Sequence, residues 1–103
     1  MRKKYVIDID GTICITKKKF KDMQKNYKAA KPRIDVINKI NDLFDKGNII
    51  FFYTSRPWVD FELTVKWLKK YSVKYHSLVF GKPVGHIYID EKYKLLCVED
   101  LLK

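Results

Sequence analysis

The fold of this chain is decided by residues 4–13, which read KYVIDIDGTI. The run starts with aromatic and β-branched side chains and no charge interrupts them, which is typical of a short buried strand. Successive side chains of a strand point to opposite faces, so the carboxylates of Asp8 and Asp10 project to the same side. Gly11 permits a sharp turn directly after them.

Two carboxylates that share one small volume repel each other, and the pKa of one of them rises. Such a pair indicates a bound cation, a division of labour between an acid and a base, or both. The alternative is a polar strand end followed by an ordinary Asp-Gly turn. On these residues alone the two interpretations have about equal weight.

The length and composition indicate one compact domain over residues 1–103. Of the 103 residues 47% are hydrophobic, which is enough for one core and too little for two. No apolar run approaches the roughly 20 residues that span a bilayer, so we expect a cytoplasmic protein with no membrane partner. Cys14 and Cys97 lack the spacing of a zinc site and are expected to be reduced thiols.

The chain is strongly basic. It has 22 Lys and Arg against 12 Asp and Glu, a net charge of +10. Such a field attracts anions, including phosphorylated metabolites and nucleic acid. A general compositional bias towards Lys, Ile, Asn and Tyr explains the same excess and is the preferred interpretation, so nucleic acid is the less favoured partner.

Beyond the first strand the sequence alternates between strand and helix patterns. Residues 12–31 are irregular and predict a hairpin or flap, with a loop through Asn26 and Ala30. Two helices and a short C-terminal one are predicted at 32–47, 58–71 and 98–102, and further strands at 48–53, 75–80 and 86–89. This order predicts an α/β fold with a three-layer, Rossmann-like, mostly parallel sheet and helices on both faces.

Polar side chains follow the predicted strands at their carboxyl ends. After Asp8 and Asp10 come Thr54 and Ser55, then Lys82, then Asp90 and Glu91. The carboxyl ends of parallel strands are where ligands bind in open α/β sheets. Clustered acids suit Mg²⁺, while a lysine and hydroxyls suit an anion. Together they indicate phosphoryl transfer, in which a carboxylate can attack phosphorus.

The motif Asp8-Ile9-Asp10-Gly11-Thr12, with Thr54, Lys82 and Asp90 in order, resembles the four motifs of the haloacid dehalogenase (HAD) superfamily across the whole chain. The resemblance implies that Asp8 is the nucleophile and Asp10 the general acid and base. It implies that Thr54 and Lys82 bind the phosphoryl group, with Ser55 beside them. It also implies Mg²⁺ held by Asp8, Asp10 and Asp90.

Glu91 stands where the superfamily commonly has a second aspartate, and its longer arm leaves its role at the metal open. There is no room for a cap domain, so the chain is similar to capless members, some associated with capsule and surface-polysaccharide biosynthesis. The resemblance therefore implies a Mg²⁺-dependent phosphatase acting on a small molecule such as a sugar phosphate. A neighbouring subunit of a homo-oligomer would supply the lid.

Two other functions remain open. One is a polynucleotide end phosphatase, which the basic charge favours. The other is a non-catalytic phosphate-binding or receiver-like module, although receivers carry their acceptor aspartate on a later strand.

Two further groups of residues are ambiguous from the sequence. Arg56 meets a substrate anion through its planar fork, supports the residues that do, or forms an exposed salt bridge. The run Lys17 to Phe20, with Tyr27, either touches a ligand or is a solvated charged segment.

Overall fold

A computed structural model describes residues 2–92 and 94–103. The strands are β1 (Lys4–Ile7), β2 (Cys14–Ile15), β3 (Lys31–Pro32), β4 (Ile49–Tyr53) and β5 (Ser77–Val79). The helices are α1 (Met23–Lys28), α2 (Ile34–Asp45), α3 (Phe61–Lys70) and α4 (Val98–Leu101), and a 3₁₀ turn at Trp58–Asp60 leads into α3. None of the helices in these described residues is long and apolar enough to cross a membrane.

The main sheet has three parallel strands in the order β1-β4-β5. Its register aligns Ile7 with Phe52 and Phe52 with Leu78. The predicted parallel sheet is therefore confirmed over three of its four expected strands. Because all three strands are parallel, their carboxyl ends meet at one edge.

One face of this sheet carries the core. Ile7, Ile50 and Phe52 are buried there and pack with Ile40 of α2 and Leu68 of α3. Apolar residues at helical spacing in the sequence predict that one side of each helix is buried. Ile40 and Leu68 lie on that side, so the predictions of α2 and α3 are confirmed. Residues of α4 also pack against this core.

The opposite face of the sheet differs from the prediction of helices on both faces. Its alternate residues Val6 and Val79 are 51% and 37% exposed, and Phe51 and Tyr53 are half-buried. The three-layer arrangement is therefore not present over the described residues, because the apolar side chains of the helices go into the core on the other face.

The predicted strand at 86–89 is also absent from the structure. Ile87 and Ile89 lie in irregular chain and are 80% and 91% exposed. A short apolar run has no fixed conformation of its own, since a strand is stabilised by packing against its neighbours. Here the run packs against none of the buried core.

The flap consists of the antiparallel pair β2-β3 with α1 inserted between its strands. The hairpin was predicted, but α1 was predicted to be a loop. Asp22 caps this helix by accepting a hydrogen bond from the Gln24 N–H at 3.0 Å. The Trp67 indole donates to the Ala30 carbonyl at 3.0 Å, which fastens the flap to α3.

Candidate active site

A tight loop after β1 positions the two aspartates. The Ile9 carbonyl accepts hydrogen bonds from the N–H groups of Thr12 and Ile13, both at 3.0 Å. Gly11 has a φ of +81° and donates to the Cys14 carbonyl at 2.9 Å. This backbone conformation is costly for residues with a Cβ, so glycine is required at the turn. The loop thus returns the chain beside the acid pair.

Asp10 is held by a bidentate ion pair with Arg56. The Arg56 Nε donates to Oδ2 at 2.8 Å, and Nη2 donates to Oδ1 at 2.7 Å. The Thr16 hydroxyl of the flap donates to the same Oδ1, and the Cys14 Sγ lies 3.7 Å from it. Both carboxylate oxygens of Asp10 therefore have protein partners.

Arg56 is buried, with only 1% of its surface exposed. Its Nη1 donates to the Thr64 hydroxyl at 3.1 Å, and its guanidinium lies 4.1 Å from the Tyr27 ring centroid. The ion pair of Arg56 is buried and is not the exposed one considered from the sequence, whereas the predicted role of Arg56 in supporting the acid pair fits this geometry. Its guanidinium links Asp10, α3 and the flap.

The two aspartates have opposite pKa shifts. Burial raises the pKa of Asp8, and the Ile9 N–H and the charge of Lys82 only partly offset it. Burial would also raise the pKa of Asp10, but the hydrogen bonds and charge of Arg56, with Thr16, outweigh it and hold that pKa below its ordinary value. The protein thus separates the pKa values of two adjacent carboxyl groups.

Backbone hydrogen bonds bring Lys82 and Thr54 to this edge. The Lys82 N–H donates to the Thr54 carbonyl at 2.9 Å, and the Gly81 N–H donates to the Arg56 carbonyl at 3.0 Å. Thr54 is buried, and its hydroxyl accepts a hydrogen bond from the Arg56 N–H at 3.1 Å. The structure therefore brings together the predicted residues Asp8, Asp10, Thr54 and Lys82.

Of three other predicted residues, one adjoins this group and two lie apart from it. Ser55 is exposed beside Thr54. Asp90 and Glu91 are exposed in the irregular segment after β5, and the Asp90 Oδ1 accepts a hydrogen bond from the Lys92 N–H at 2.8 Å. Asp90 and Glu91 are not at the end of a strand, because the strand predicted at 86–89 does not form.

The acid pair presents oxygen donors of the kind that Mg²⁺ binds. Within residues 2–92 and 94–103 no three His, Cys, Asp or Glu side chains are grouped to hold a metal ion. Mg²⁺ commonly binds one or two carboxylates and completes its shell with waters and substrate phosphate. Asp8 fits that mode, because no side chain in the described part of the chain donates a hydrogen bond to it.

Sequence reasoning missed the contacts around the acid pair. Thr16, Thr64 and Cys14 surround Asp10 or Arg56, and burial raises the pKa of the Cys14 thiol to about 11. For Tyr27 the sequence indicated only that it either touches a ligand or belongs to a solvated segment. No local pattern marks these residues, since Arg56 and Asp10 are 46 positions apart in the sequence.

Solved structures share this fold. An MCSG target protein from Vibrio cholerae has a TM-score of 0.72 and 28% sequence identity, over 97% of this chain and 87% of that chain. A chain of the Pnkp1/Rnl/Hen1 complex has a TM-score of 0.69 at 17% identity, over 85% of this chain and 31% of that one. A chain of the Pnkp1/Rnl/Hen1 RNA repair complex has a TM-score of 0.68 at 19% identity, over 77% and 25%. No protein-family model and no curated protein sequence matches the chain.

Proposed function

We propose that this chain is a phosphatase of the HAD type that hydrolyses a phosphate monoester through an aspartyl-phosphate on Asp8. The observation that carries the proposal is the difference between the two adjacent aspartates. Asp8 has no side-chain hydrogen-bond donor within the described residues, whereas Arg56 and Thr16 occupy both oxygens of Asp10. One carboxylate is therefore available to a substrate and the other is held in place.

In the proposed reaction an oxygen of Asp8 attacks the substrate phosphorus, and the bond from phosphorus to the leaving oxygen breaks. The leaving oxygen takes a proton from Asp10. Asp10 then accepts a proton from the water that attacks the aspartyl-phosphate, which releases phosphate and regenerates Asp8. Lys82 lies close enough to influence the charge of Asp8 and would neutralise phosphate oxygens.

Mg²⁺ is proposed as the cofactor, and it would supply positive charge to the transferring phosphoryl group. Asp8 would hold it through its carboxylate and Asp10 through its backbone carbonyl. Asp90 enters the metal site through the resemblance alone, because it is exposed and outside the acid pair.

The Arg56 ion pair has a consequence for the proton transfers. Arg56 favours the ionised form of Asp10, which suits the step in which Asp10 accepts a proton. In the first step Asp10 must carry a proton against the same guanidinium. We therefore expect substrate binding to weaken the Asp10–Arg56 pair, since the phosphate brings negative charge to this edge.

Two substrate classes are candidates. The first is a small phosphorylated metabolite such as a sugar phosphate of surface-polysaccharide biosynthesis, which rests on the resemblance. The second is a phosphorylated polynucleotide end. It is supported by the fold shared with chains of an RNA repair complex and by the net charge of +10.

A homo-oligomer is part of the proposal, with a second copy covering the open edge of the site. The observation that supports it is the exposure of large aliphatic residues in the segment after β5. Val84, Ile87, Ile89 and Leu95 are each at least 80% exposed.

The test measures phosphate release from an aryl phosphate with and without Mg²⁺. We expect turnover that requires Mg²⁺ and disappears in Asp8→Asn. Asp35→Asn is the matched control, because it removes an exposed carboxylate at the start of α2 and should leave turnover unchanged. Equal turnover of Asp8→Asn and the wild type would refute the mechanism.

A further inference from the structure

The flap reaches the candidate active site through two side chains. Thr16, directly after β2, donates a hydrogen bond from its hydroxyl to Oδ1 of Asp10. Tyr27 of α1 lies over the Arg56 guanidinium, 4.1 Å from it to the ring centroid. Asp10 and Arg56 are the two partners of one ion pair. The flap therefore contacts both partners, the carboxylate through Thr16 and the guanidinium through Tyr27.

The flap is also fastened to α3 and to the turn before it. Gln24 of α1 donates from Nε2 to Oδ1 of Asp60 at 2.8 Å, and Asp60 is buried. The Trp67 indole donates to the carbonyl of Ala30, just beyond the other end of α1. Because α1 is tied near both of its ends, the flap holds a defined position against the body of the molecule.

The hydrogen bonds of Asp10 leave one oxygen open. An ionised carboxylate has about four acceptor positions, two on each oxygen. Arg56 fills one position on each oxygen, with Nη2 at 2.7 Å from Oδ1 and Nε at 2.8 Å from Oδ2. The Thr16 hydroxyl fills the second position of Oδ1, and the Cys14 Sγ lies 3.7 Å from the same oxygen. Among the described residues, the acceptor position without a donor is therefore on Oδ2.

We propose that Thr16 is a positioning residue that leaves Oδ2 of Asp10 as the atom that exchanges protons with the substrate. This role rests on the proposed phosphatase function, in which Asp10 gives a proton to the leaving oxygen and later takes one from the attacking water. Without the Thr16 hydroxyl, a second acceptor position opens on Oδ1, on the side of the flap. A proton or a water bound there is directed away from the leaving oxygen.

The test compares Thr16→Val, which keeps the shape of the side chain and removes the hydroxyl, with Thr16→Ser, which keeps the hydroxyl. Each variant is assayed with Mg²⁺ on phenyl phosphate and on p-nitrophenyl phosphate. The value of kcat/KM covers the steps up to departure of the leaving group. Phenolate needs a proton as it leaves, because the pKa of a phenol is about 10. The less basic p-nitrophenolate leaves without one.

We expect Thr16→Val to lower kcat/KM for phenyl phosphate about tenfold, a part of the roughly 10²- to 10⁴-fold that general acid catalysis contributes. For p-nitrophenyl phosphate the loss should be less than about threefold, since departure of this group does not depend on the proton of Asp10. Thr16→Ser should stay within about twofold of the wild type on both esters, because it retains the donor. Thermal melts check that each variant is folded.

A second measurement, amide hydrogen exchange without substrate, reports on the contact between Thr16 and Asp10 independently of turnover. Thr16→Val should speed the exchange of amides in β2 and α1, because the flap loses one of its fastenings. Exchange in Thr16→Ser should match the wild type.

Equal losses on the two esters in Thr16→Val would overturn the proposal, because a displaced flap lowers both alike. A loss of the same size in Thr16→Ser would also overturn it. Either result would leave the phosphatase function intact, since the wild type still turns over. If the wild type hydrolyses neither ester, the phosphatase function fails and the catalytic role of Thr16 fails with it. The exchange rates then show whether Thr16 joins the flap to Asp10.

Discussion

At the scale of single residues, the two aspartates of the first loop show how a local environment assigns different tasks to identical side chains. They are two positions apart and project to the same side, yet only Asp10 receives the Arg56 fork. The carboxylate of Asp8 is partly buried, and the backbone N–H of Ile9 donates a hydrogen bond to it. The difference leads to opposite predictions for the stability of their asparagine variants.

Asp8→Asn should lower turnover by about 10³-fold or more, because it removes the nucleophile. The same substitution should raise the free energy of unfolding at pH 7. The folded pKa of Asp8 lies above its unfolded value, so its ionised form is penalised in the fold. Asparagine removes that penalty. The gain should be present at neutral pH and shrink as the pH falls towards the range where Asp8 is protonated in both states. Urea unfolding at several pH values measures it, and a loss of stability at pH 7 would contradict the prediction.

Asp10→Asn should lower the free energy of unfolding at pH 7 by about 3–5 kcal/mol, because it leaves a buried guanidinium without its counter-charge. Here the folded pKa is depressed, so the stabilisation is present above the unfolded pKa and is lost as the pH falls through the folded one. Urea unfolding of Asp10→Asn beside Asp8→Asn checks the contrast. Equal midpoints for the two variants would argue against the ion pair as a stabilising contact.

At the scale of elements, α2 connects the sequence pattern to the core. Ile34, Ile37 and Ile40 recur at helical spacing, which predicts that one face of the helix carries all three. The structure buries the last two, while Ile34 at the first turn is 52% exposed. The difference arises because α2 begins at Ile34, where the helix extends past the edge of the core. The apolar stripe therefore predicts the buried direction of a helix but not its limits.

Ile40→Ala should lower the free energy of unfolding by about 2–5 kcal/mol, since it creates a cavity at a position with no exposed surface. Ile34→Ala makes the same chemical change in the same helix and should cost less than about 1 kcal/mol. Thermal or urea unfolding of the two variants measures the difference. Similar losses in both would mean that the N-terminal turn of α2 is packed in solution.

At the scale of the whole molecule, the described residues cover one face of the sheet, and the segment after β5 is exposed. The molecule therefore presents Val6 and Val79 on the open face, and Ile87 and Ile89 in the segment. Exposed apolar residues that form a contiguous patch mark interaction sites. This supports the proposal that a second copy of the chain associates with this region.

Ile87→Lys should reduce self-association without changing thermal stability, because Ile87 is 80% exposed and buries little in the monomer. Val59→Lys is the matched control, since Val59 is 76% exposed at the turn before α3. Sedimentation velocity over a range of concentrations measures the association. A wild-type chain that remains monomeric at every concentration would refute the proposed oligomer.

Much of the fold was predictable, since a strand or helix pattern is local. The periods of apolar residues located β1, α2, β4, α3, β5 and α4, and the alternation of strands and helices predicted parallel pairing. The helix α1 was missed because its six residues MQKNYK carry no apolar stripe. The strand at 86–89 was predicted from a four-residue run that contains Ile87, Tyr88 and Ile89, and such a run forms a strand only when neighbours cover it.

The sequence by itself determined the order of the elements and the placement of Asp8, Asp10, Thr54 and Lys82 at strand ends, because both follow from local periodicity. Only the tertiary structure decided that Arg56 is buried against Asp10 and that the pKa values of the two aspartates diverge. The physical reason is that burial and ion pairing depend on contacts between residues far apart in the chain.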